Sequence, residues 1–169
     1  MRMRDGDFAA DRRRYPAHSW LLQPAIWAIA VYRFGRWTLR APRLLRPGVH
    51  ALYFFMYSIV RLAVGIDIPR TVRIGPGLMI HHFGGIVLNP AVTIGDNCTL
   101  RHGVTIGNRS DGGPVPILGD NVNLGAYCQI LGGVRVGDGA QVGAMSVVLG
   151  DVPDNATAVG IPARVLGRI

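Results

Sequence analysis

An aliphatic residue returns at every sixth position through most of residues 74–153, and this period constrains the fold more than any other feature of the chain. Glycine often follows the aliphatic residue, and a small or β-branched residue often stands four places after it. A helix has a period of about 3.6, whereas six residues suit a short strand and a turn with glycine or asparagine. The repeating aliphatic residues are Ile74, Ile80, Ile86, Ile94, Leu100, Ile106, Leu118, Leu124, Ile130, Val136, Val142 and Val148.

Three six-residue units form one triangular coil of about 18 residues, and stacked coils share a continuous apolar core. The sequence therefore predicts a mainly β fold, a parallel β-helix, over residues 67–153. An irregular all-β domain is the alternative, and the near-fixed register of the aliphatic residues argues against it. The repeat breaks at Gly160 and Pro162, so residues 154–169 are expected to cap the open end of the coil.

Two interruptions of the repeat mark places where functional side chains are expected, because loops on a rigid scaffold often carry function. The spacing from Ile80 to Ile94 is 14 residues rather than 12, which predicts a two-residue insertion near residues 88–90. Between Ile106 and Leu118 the chain does not follow the repeat, and we expect a loop over residues 108–117 that projects from the stack.

Residues 1–66 form a basic segment with 11 arginines and 3 aspartates, whereas residues 67–169 contain seven of each. Apolar residues at helical intervals predict helices over about 19–38 and 48–64, after a polar stretch, residues 1–14, that we expect to be poorly ordered. The apolar run of the second helix is shorter than the roughly 20 residues that span a bilayer.

The mixture of basic, aromatic and apolar residues in this segment favours peripheral contact with an anionic membrane surface. Packing against the β-helix or a neighbouring subunit is the alternative. We expect no nucleic-acid partner, because no binding module for one is recognisable.

The chain contains neither lysine nor glutamate, so its charged side chains are 18 arginines and 10 aspartates. Glutamate therefore cannot be a catalytic base, and histidine becomes the first candidate. Cys98 and Cys128 occupy small-residue positions of the repeat, where core packing is expected. Neither a metal site nor a disulfide is expected, and without a recognisable signal peptide the cytoplasm is the expected compartment.

The chain resembles the hexapeptide-repeat acyltransferases, in particular the serine O-acetyltransferases and the acetyltransferases of colanic-acid and capsule biosynthesis. The resemblance covers roughly residues 15–169 and is carried by IHHFGG, RHGVTIGNR and GIPAR. It implies a left-handed β-helix, acyl transfer from acetyl-CoA, and a homotrimer with active sites in the grooves between chains. Whether such trimers pair stays open.

His82 is the candidate general base, because in register it matches the catalytic histidine of the serine acetyltransferases within His81–Gly85. Asp67 precedes His82 by 15 residues, the interval that separates the family's supporting aspartate from its histidine. A coil of about 18 residues brings two such positions close together. The resemblance thus gives Asp67 the role of orienting His82, with a structural turn or a helix cap as the alternative for each.

The repeat itself places His102 beside His82, because both stand two positions after a repeat aliphatic residue. They are 20 residues apart, which is one coil plus the two-residue insertion. His102 is a candidate for binding the acceptor or sharing the base role, with a structural role beside Arg101 as the alternative. Further candidates for acceptor contact are His81 and Arg109.

The coenzyme slot is expected along the later coils, where small residues let an extended pantetheine arm approach the backbone. Guanidinium groups near the C-terminus are candidates for the nucleotide phosphates. The fold requires small residues at several of these positions in any case, and the arginines also fit a basic tail. The positions that match the family are Gly125, Ala126, Gly143, Ala144, Ser146, Arg164 and Arg168.

One departure from the family bears on the acceptor. Serine acetyltransferases carry an arginine-histidine pair before the proline of the extended loop, where the pair meets the amino acid. Aligned on Pro116, this chain has Pro114 and Val115. We therefore expect a saccharide hydroxyl as acceptor, in exopolysaccharide, capsule or glycolipid biosynthesis, with serine or a secondary metabolite as alternatives.

Two alternatives of other classes remain. A catalytically silent scaffold would fail to bind coenzyme A. A γ-carbonic-anhydrase-like metal protein needs three zinc histidines in its own pattern, which His81, His82 and His102 do not obviously supply.

Overall fold

The structure, a computed structural model, describes residues 8–16 and 23–168, with side chains as far as residue 166. Among the described residues, three helices precede a parallel β-solenoid of about five turns. They are α1 (Phe8–Arg13), α2 (Pro24–Thr38) and α3 (Arg46–Val64). Residues 19–22 of the first expected helix lie outside the described residues.

The solenoid has three faces, each a sheet of short strands from successive coils. The first face contains β1 (Ile66–Asp67), β4 (Ile86–Leu88), β7 (Thr105–Gly107), β10 (Gln129–Leu131) and β13 (Val147–Val148). The second contains β2 (Arg73–Ile74), β5 (Thr93–Ile94), β8 (Ile117–Leu118) and β11 (Arg135–Val136). The third contains β3 (Met79–His81), β6 (Thr99–Arg101), β9 (Asn123–Leu124), β12 (Gln141–Val142), β14 (Ala156–Gly160) and β15 (Ala163–Arg168).

The aliphatic residues of the six-residue repeat point inward and stack on one another in the core of this solenoid. Every aliphatic residue of the repeat is at most 5% exposed, and each such burial stabilises the fold by about 1.5–3 kcal/mol. Cys98 and Cys128 lie in the same core, where burial raises the pKa of both thiols to about 12. The last strand, β15, turns back antiparallel along β14 and extends the third face.

The two-residue insertion lies earlier than the spacing of aliphatic residues predicts. Leu88 pairs with Ile106, so Leu88 takes the repeat position, and the expectation of an insertion near residues 88–90 is wrong. Four residues, His82–Gly85, connect β3 to β4, whereas only His102 and Gly103 separate Arg101 from Val104 in the next coil. Both Ile86 and Leu88 are buried, and this is why the sequence alone did not distinguish them.

The segment before α2 is anchored to the solenoid, so the expectation of poor order is wrong for residues 8–14. The Asp11 carboxylate is fully buried, accepts hydrogen bonds from Arg33 at 2.7 and 2.9 Å, and accepts a third from the Leu78 N–H at 2.8 Å. The Tyr15 hydroxyl accepts a hydrogen bond from the Ile80 N–H at 2.7 Å. These groups supply hydrogen-bond partners at the edge of β3, the first strand of the third face, whose outer side pairs with no other strand among the described residues.

Helix α2 lies across the start of the solenoid, and α3 packs on α2. The Tyr32 hydroxyl donates to the Val72 carbonyl at 2.9 Å, and Arg33 donates to the carbonyls of Ile74 and Gly75. Gly35 of α2 lies directly against the Tyr53 ring of α3, where a side chain would clash. The helices are therefore fixed to the first coil by specific contacts.

Helix α3 has 19 residues, begins slightly before the expected residue 48, and by length and composition could cross a membrane. This differs from the short apolar run expected from the sequence. Only 17% of its most apolar window is buried. It is therefore an apolar helix with one side against the protein and the other exposed.

We predict that Asp11→Ala lowers the free energy of unfolding by about 3–5 kcal/mol, because it leaves the Arg33 charge buried without its partner. Urea denaturation measures the change. The matched control is Asp111→Ala at an exposed position of the 108–117 segment, with an expected change within about 0.5 kcal/mol. Equal stability of the two variants would contradict the anchoring role of Asp11.

Candidate active site

The corner between the third and first faces stacks aromatic and imidazole rings from successive coils. The His82 and His102 ring centroids lie 5.5 Å apart at an interplanar angle of 85°, and the next coil places Tyr127 5.0 Å from His102. The structure therefore brings His82 and His102 together, as the repeat predicts. Tyr127 was not anticipated, because it stands in a different position of its own turn.

The His82 turn has an unusual backbone. His82 has φ 65°, and Gly84 and Gly85 also have positive φ values. A side chain on Gly85 would lie 3.2 Å from the Gly103 Cα atom, so glycine allows the two turns to stack closely. A positive φ at a residue other than glycine carries a free-energy cost, and such conformations concentrate at functional sites.

A cavity of about 280 Å³ opens beside this turn. His81, His82 and Phe83 form one side, and residues 23–25 at the start of α2 form the other. Burial, followed by the charge of Arg101, lowers the pKa of His81, which favours its neutral form. The wall from α2 was not predictable from the repeat.

The Nδ1 atom of His102 is buried, and no hydrogen-bond partner reaches it within the described part of the chain. An unpaired buried nitrogen carries a free-energy cost until a ligand or another chain supplies a partner. His102 is thus a polar group in contact with His82 whose hydrogen bonding is incomplete in one chain.

Asp67 lies on β1 and His82 lies in the turn between β3 and β4, and the described contacts do not include a hydrogen bond between them. β1 pairs with β4 at the foot of the His82 turn. The Asp67 carboxylate instead accepts a hydrogen bond from the Tyr57 hydroxyl and lies 3.9 Å from Arg61. Burial, followed by this hydrogen bond, raises the pKa of Tyr57.

Both partners of Asp67 lie on α3, so sequence reasoning missed them: the contact depends on how the helix meets the first coil. Tyr57, Arg61 and Asp67 line a groove of about 450 Å³ on the first face, which extends past Thr105 to Asn108.

The third face carries a second groove, of about 330 Å³, and four of the predicted coenzyme residues line it: Gly125, Ala126, Gly143 and Ala144. Arg101 also lines the groove and was not among the predicted coenzyme residues. Arg101 pairs with His81 between β6 and β3, and this pairing places Arg101 on the third face.

Ser146 does not reach this groove. Its side chain is buried, and its hydroxyl accepts a hydrogen bond from the Gly160 N–H at 3.0 Å. Ser146 therefore holds the end of β14. Arg164 is exposed on β15, and the Arg168 side chain lies outside the described residues.

The segment between β7 and β8 folds back on the solenoid. The Arg109 stem lies over Gly132, where a Cβ atom would be 2.8 Å from the Arg109 Cδ atom. Pro114 lies equally close to Gly133, and Val115 is partly buried against the core. Position 115 therefore presents an apolar side chain to the protein.

Comparisons with known proteins agree with this geometry. A family model described as bacterial transferase hexapeptide (six repeats) matches residues 116–150. Serine acetyltransferase of Salmonella typhimurium is 36% identical over 169 residues, which is 96% of this chain and 60% of that protein. Serine acetyltransferase of Helicobacter pylori is 39% identical over 144 residues, which is 74% of this chain and 84% of that protein.

The chain belongs to the serine acetyltransferase family. A solved structure of soybean serine acetyltransferase complexed with serine superimposes with a TM-score of 0.79 at 37% identity, covering 95% of this chain and 66% of that one. The chain thus spans about three fifths of the length of the Salmonella relative. The parallel solenoid and its hexapeptide repeat agree with the expected left-handed β-helix.

Within the residues that the structure describes, no group of three or more His, Cys, Asp or Glu side chains is placed to hold a metal ion. His81, His82 and His102 therefore do not form a zinc-binding cluster of that kind. The candidate reactive groups in this member of the serine acetyltransferase family are therefore histidine imidazoles beside a groove.

We predict that Gly125→Ala lowers the free energy of unfolding by about 1–3 kcal/mol. The added Cβ atom would clash with the Ala144 backbone nitrogen and lie 2.7 Å from the Gly143 carbonyl carbon. Thermal and urea denaturation measure the loss. The control is Gly150→Ala, where nothing lies within 4 Å of the added atom and stability should be unchanged. Unchanged stability in Gly125→Ala would contradict this close stacking of coils at the groove.

Proposed function

We propose that this protein is an acetyl-CoA-dependent O-acetyltransferase in which His82 is the general base. The observation that carries the proposal is the contact of His82 with His102 at a corner that adjoins the cavity of His81–Phe83 and the groove of the third face. One groove suits an extended coenzyme arm, and the corner exposes imidazole groups to an acceptor. Membership of the serine acetyltransferase family supports both assignments.

The proposed reaction is a direct transfer. The His82 imidazole accepts the proton of the acceptor hydroxyl as the oxygen attacks the thioester carbonyl carbon. The tetrahedral intermediate then collapses, the carbon–sulfur bond breaks, and the imidazolium returns its proton to the leaving thiolate. The products are the acetyl ester and coenzyme A, and no covalent enzyme intermediate is required.

Acetyl-CoA is assigned to the groove on the third face. Its lining includes two Gly-Ala pairs, at 125–126 and 143–144, where pantetheine has room to approach the backbone. Arg101 at the same groove is suited to an anionic group of the coenzyme, as guanidinium groups bind phosphate well. Arg164 and Arg168 on β15 remain candidates for the nucleotide phosphates.

Asp67 is assigned a positioning role toward His82. Tyr57 and Arg61 hold its carboxylate on β1, which pairs with the strand that follows the His82 turn, so Asp67 acts through this strand pairing rather than through a direct hydrogen bond. A carboxylate near the base stabilises the imidazolium that forms during transfer.

The proposal includes a homotrimer, in which a neighbouring copy closes each groove. The lining of the coenzyme groove belongs to strands and turns of one face of a single chain. A second wall from another copy would enclose the ligand, and a polar group from it could also reach the His102 Nδ1 atom. Sedimentation analysis of the purified protein tests the assembly.

L-Serine is the first candidate acceptor, because the relatives described above are serine acetyltransferases and the soybean structure contains serine. The saccharide acceptor expected from residues 114 and 115 gains no support from these relatives. It remains the second candidate on one observation. Pro114 and Val115 offer no charged or polar side chain where the family places an arginine and a histidine for the amino acid.

We predict that His82→Ala lowers kcat for thiol release from acetyl-CoA by about 100- to 10,000-fold, because the acceptor proton loses its base. Calorimetry should show acetyl-CoA binding unchanged. The control is His50→Gln on α3, away from the corner, with unchanged kcat. The proposed role is wrong if His82→Ala keeps the wild-type kcat while remaining folded.

We predict that the double variant Pro114→Arg, Val115→His lowers KM for L-serine about tenfold or more, because a guanidinium supplies a charge-assisted partner for the carboxylate. The matched control, Pro114→Gln, Val115→Gln, reports the effect of disturbing the loop alone. Steady-state thiol release with L-serine and with a panel of saccharides measures both.

Thiol release by the wild type with saccharides and not with L-serine would overturn serine as first acceptor. A different outcome is that the wild type releases thiol with L-serine at a low KM that the double variant leaves unchanged. That result would show that another group binds the serine carboxylate.

A further inference from the structure

Helix α3 exposes a continuous apolar stripe. Leu52, Phe55, Ile59 and Leu62 recur at intervals of three and four residues, so they line one side of the helix, and each is about half exposed or more. The opposite side, with Tyr53, Val60 and Val64, is buried against the protein. An exposed apolar face of this kind marks an interaction surface.

The stripe continues into the connection between α2 and α3. Leu44 is 92% exposed and Leu45 is 53% exposed, and Trp37 and Leu39 at the end of α2 are also exposed. The exposed arginines Arg40, Arg43 and Arg46 alternate with these apolar residues along the chain. We refer to the stripe and the connection, Trp37–Arg46 with Leu52, Phe55, Ile59 and Leu62, as the α3 face.

The charge of this region indicates what covers the face. The charged side chains of the α3 face are those of Arg40, Arg43 and Arg46, and the face contains no aspartate or glutamate. Two copies packed face to face would bring arginine against arginine without a carboxylate from the face to compensate. An anionic lipid surface satisfies both features, since it takes up apolar side chains and attracts guanidinium groups.

The packing of α3 indicates how the helix meets the lipid. Tyr53 packs against Gly35, and the Arg70 guanidinium lies 4.8 Å from the Tyr53 ring centroid and 5.0 Å from that of Phe54. These contacts tie the middle of the helix to α2 and to the first coil. A helix tied in this way lies in the membrane interface rather than across the bilayer.

We propose that the α3 face binds an anionic membrane surface, with Leu44, Phe55 and Leu62 inserted among the lipids and Arg40 and Arg43 beside the phosphates. This binding is independent of the acetyl-transfer proposal. It would place the solenoid and its grooves at the lipid surface.

Flotation of the full-length protein with vesicles tests the proposal. Vesicles of phosphatidylcholine mixed with phosphatidylglycerol should carry the protein at low salt, whereas vesicles of phosphatidylcholine alone should carry several-fold less. High salt should release most of the bound protein, because screening weakens the attraction to guanidinium groups.

Two double variants separate the contributions. Leu44→Ser with Leu62→Ser should lose most binding, and Arg40→Gln with Arg43→Gln should lose the dependence on anionic lipid. The matched controls are Leu166→Ser and Arg135→Gln, exposed positions on the solenoid, and they should bind like the wild type. Melting curves verify that every variant is folded.

Three results would overturn the proposal. The first is absence of the wild type from anionic vesicles at low salt. The second is salt-resistant binding that only detergent reverses, which would indicate a helix that crosses the bilayer. The third result combines two observations: the wild type binds no vesicles, and the Leu44→Ser, Leu62→Ser variant loses an oligomer that the wild type forms. That result would assign the face to a second copy of the chain.

Discussion

The stacking of one coil on the next is the constraint on which the rest of the structure depends. Ile80 pairs beside Leu100, and Leu100 beside Leu124, so each inward aliphatic residue rests on the equivalent residue of the adjacent coil. The backbone of each face is satisfied by parallel hydrogen bonds between coils. This arrangement sets the separation of equivalent side chains, and the contact between His82 and His102 follows from it.

The candidate site arises where the period is interrupted. The four-residue turn at His82–Gly85 replaces a two-residue turn, so His82 takes a positive φ at the corner while the strands on either side remain in register. The second interruption, between β7 and β8, folds over Gly132 and Gly133. The rigid core thus supports two irregular segments, and Pro114 and Val115 lie in the second of them.

The sequence predicted those features that depend on the period. The buried ladder, the core position of both cysteines and the approach of His82 to His102 follow from residue spacing, whereas the residues of the small-residue groove were expected from the family resemblance. The position of the first insertion does not follow from the spacing. Ile86 and Leu88 are both buried, so the spacing alone does not show which of them occupies the repeat position.

The six-residue repeat did not predict the contacts between the helices and the solenoid. The Asp11–Arg33 pair joins residues 22 positions apart through a tertiary contact, and the hydrogen bond from Tyr57 to Asp67 depends on where α3 ends. Ser146 matches a family position, yet its hydroxyl is used by the Gly160 backbone. Such partners depend on side-chain directions, which a repeat does not specify.

The most direct test of the central claim is a crystal structure with acetyl-CoA bound. We expect pantetheine to lie along the Gly125–Ala144 groove, with the thioester beside His82 and His102 and a phosphate near Arg101. A thioester bound away from this corner, for example in the groove of Tyr57 and Asp67 without contact to either histidine, would contradict it.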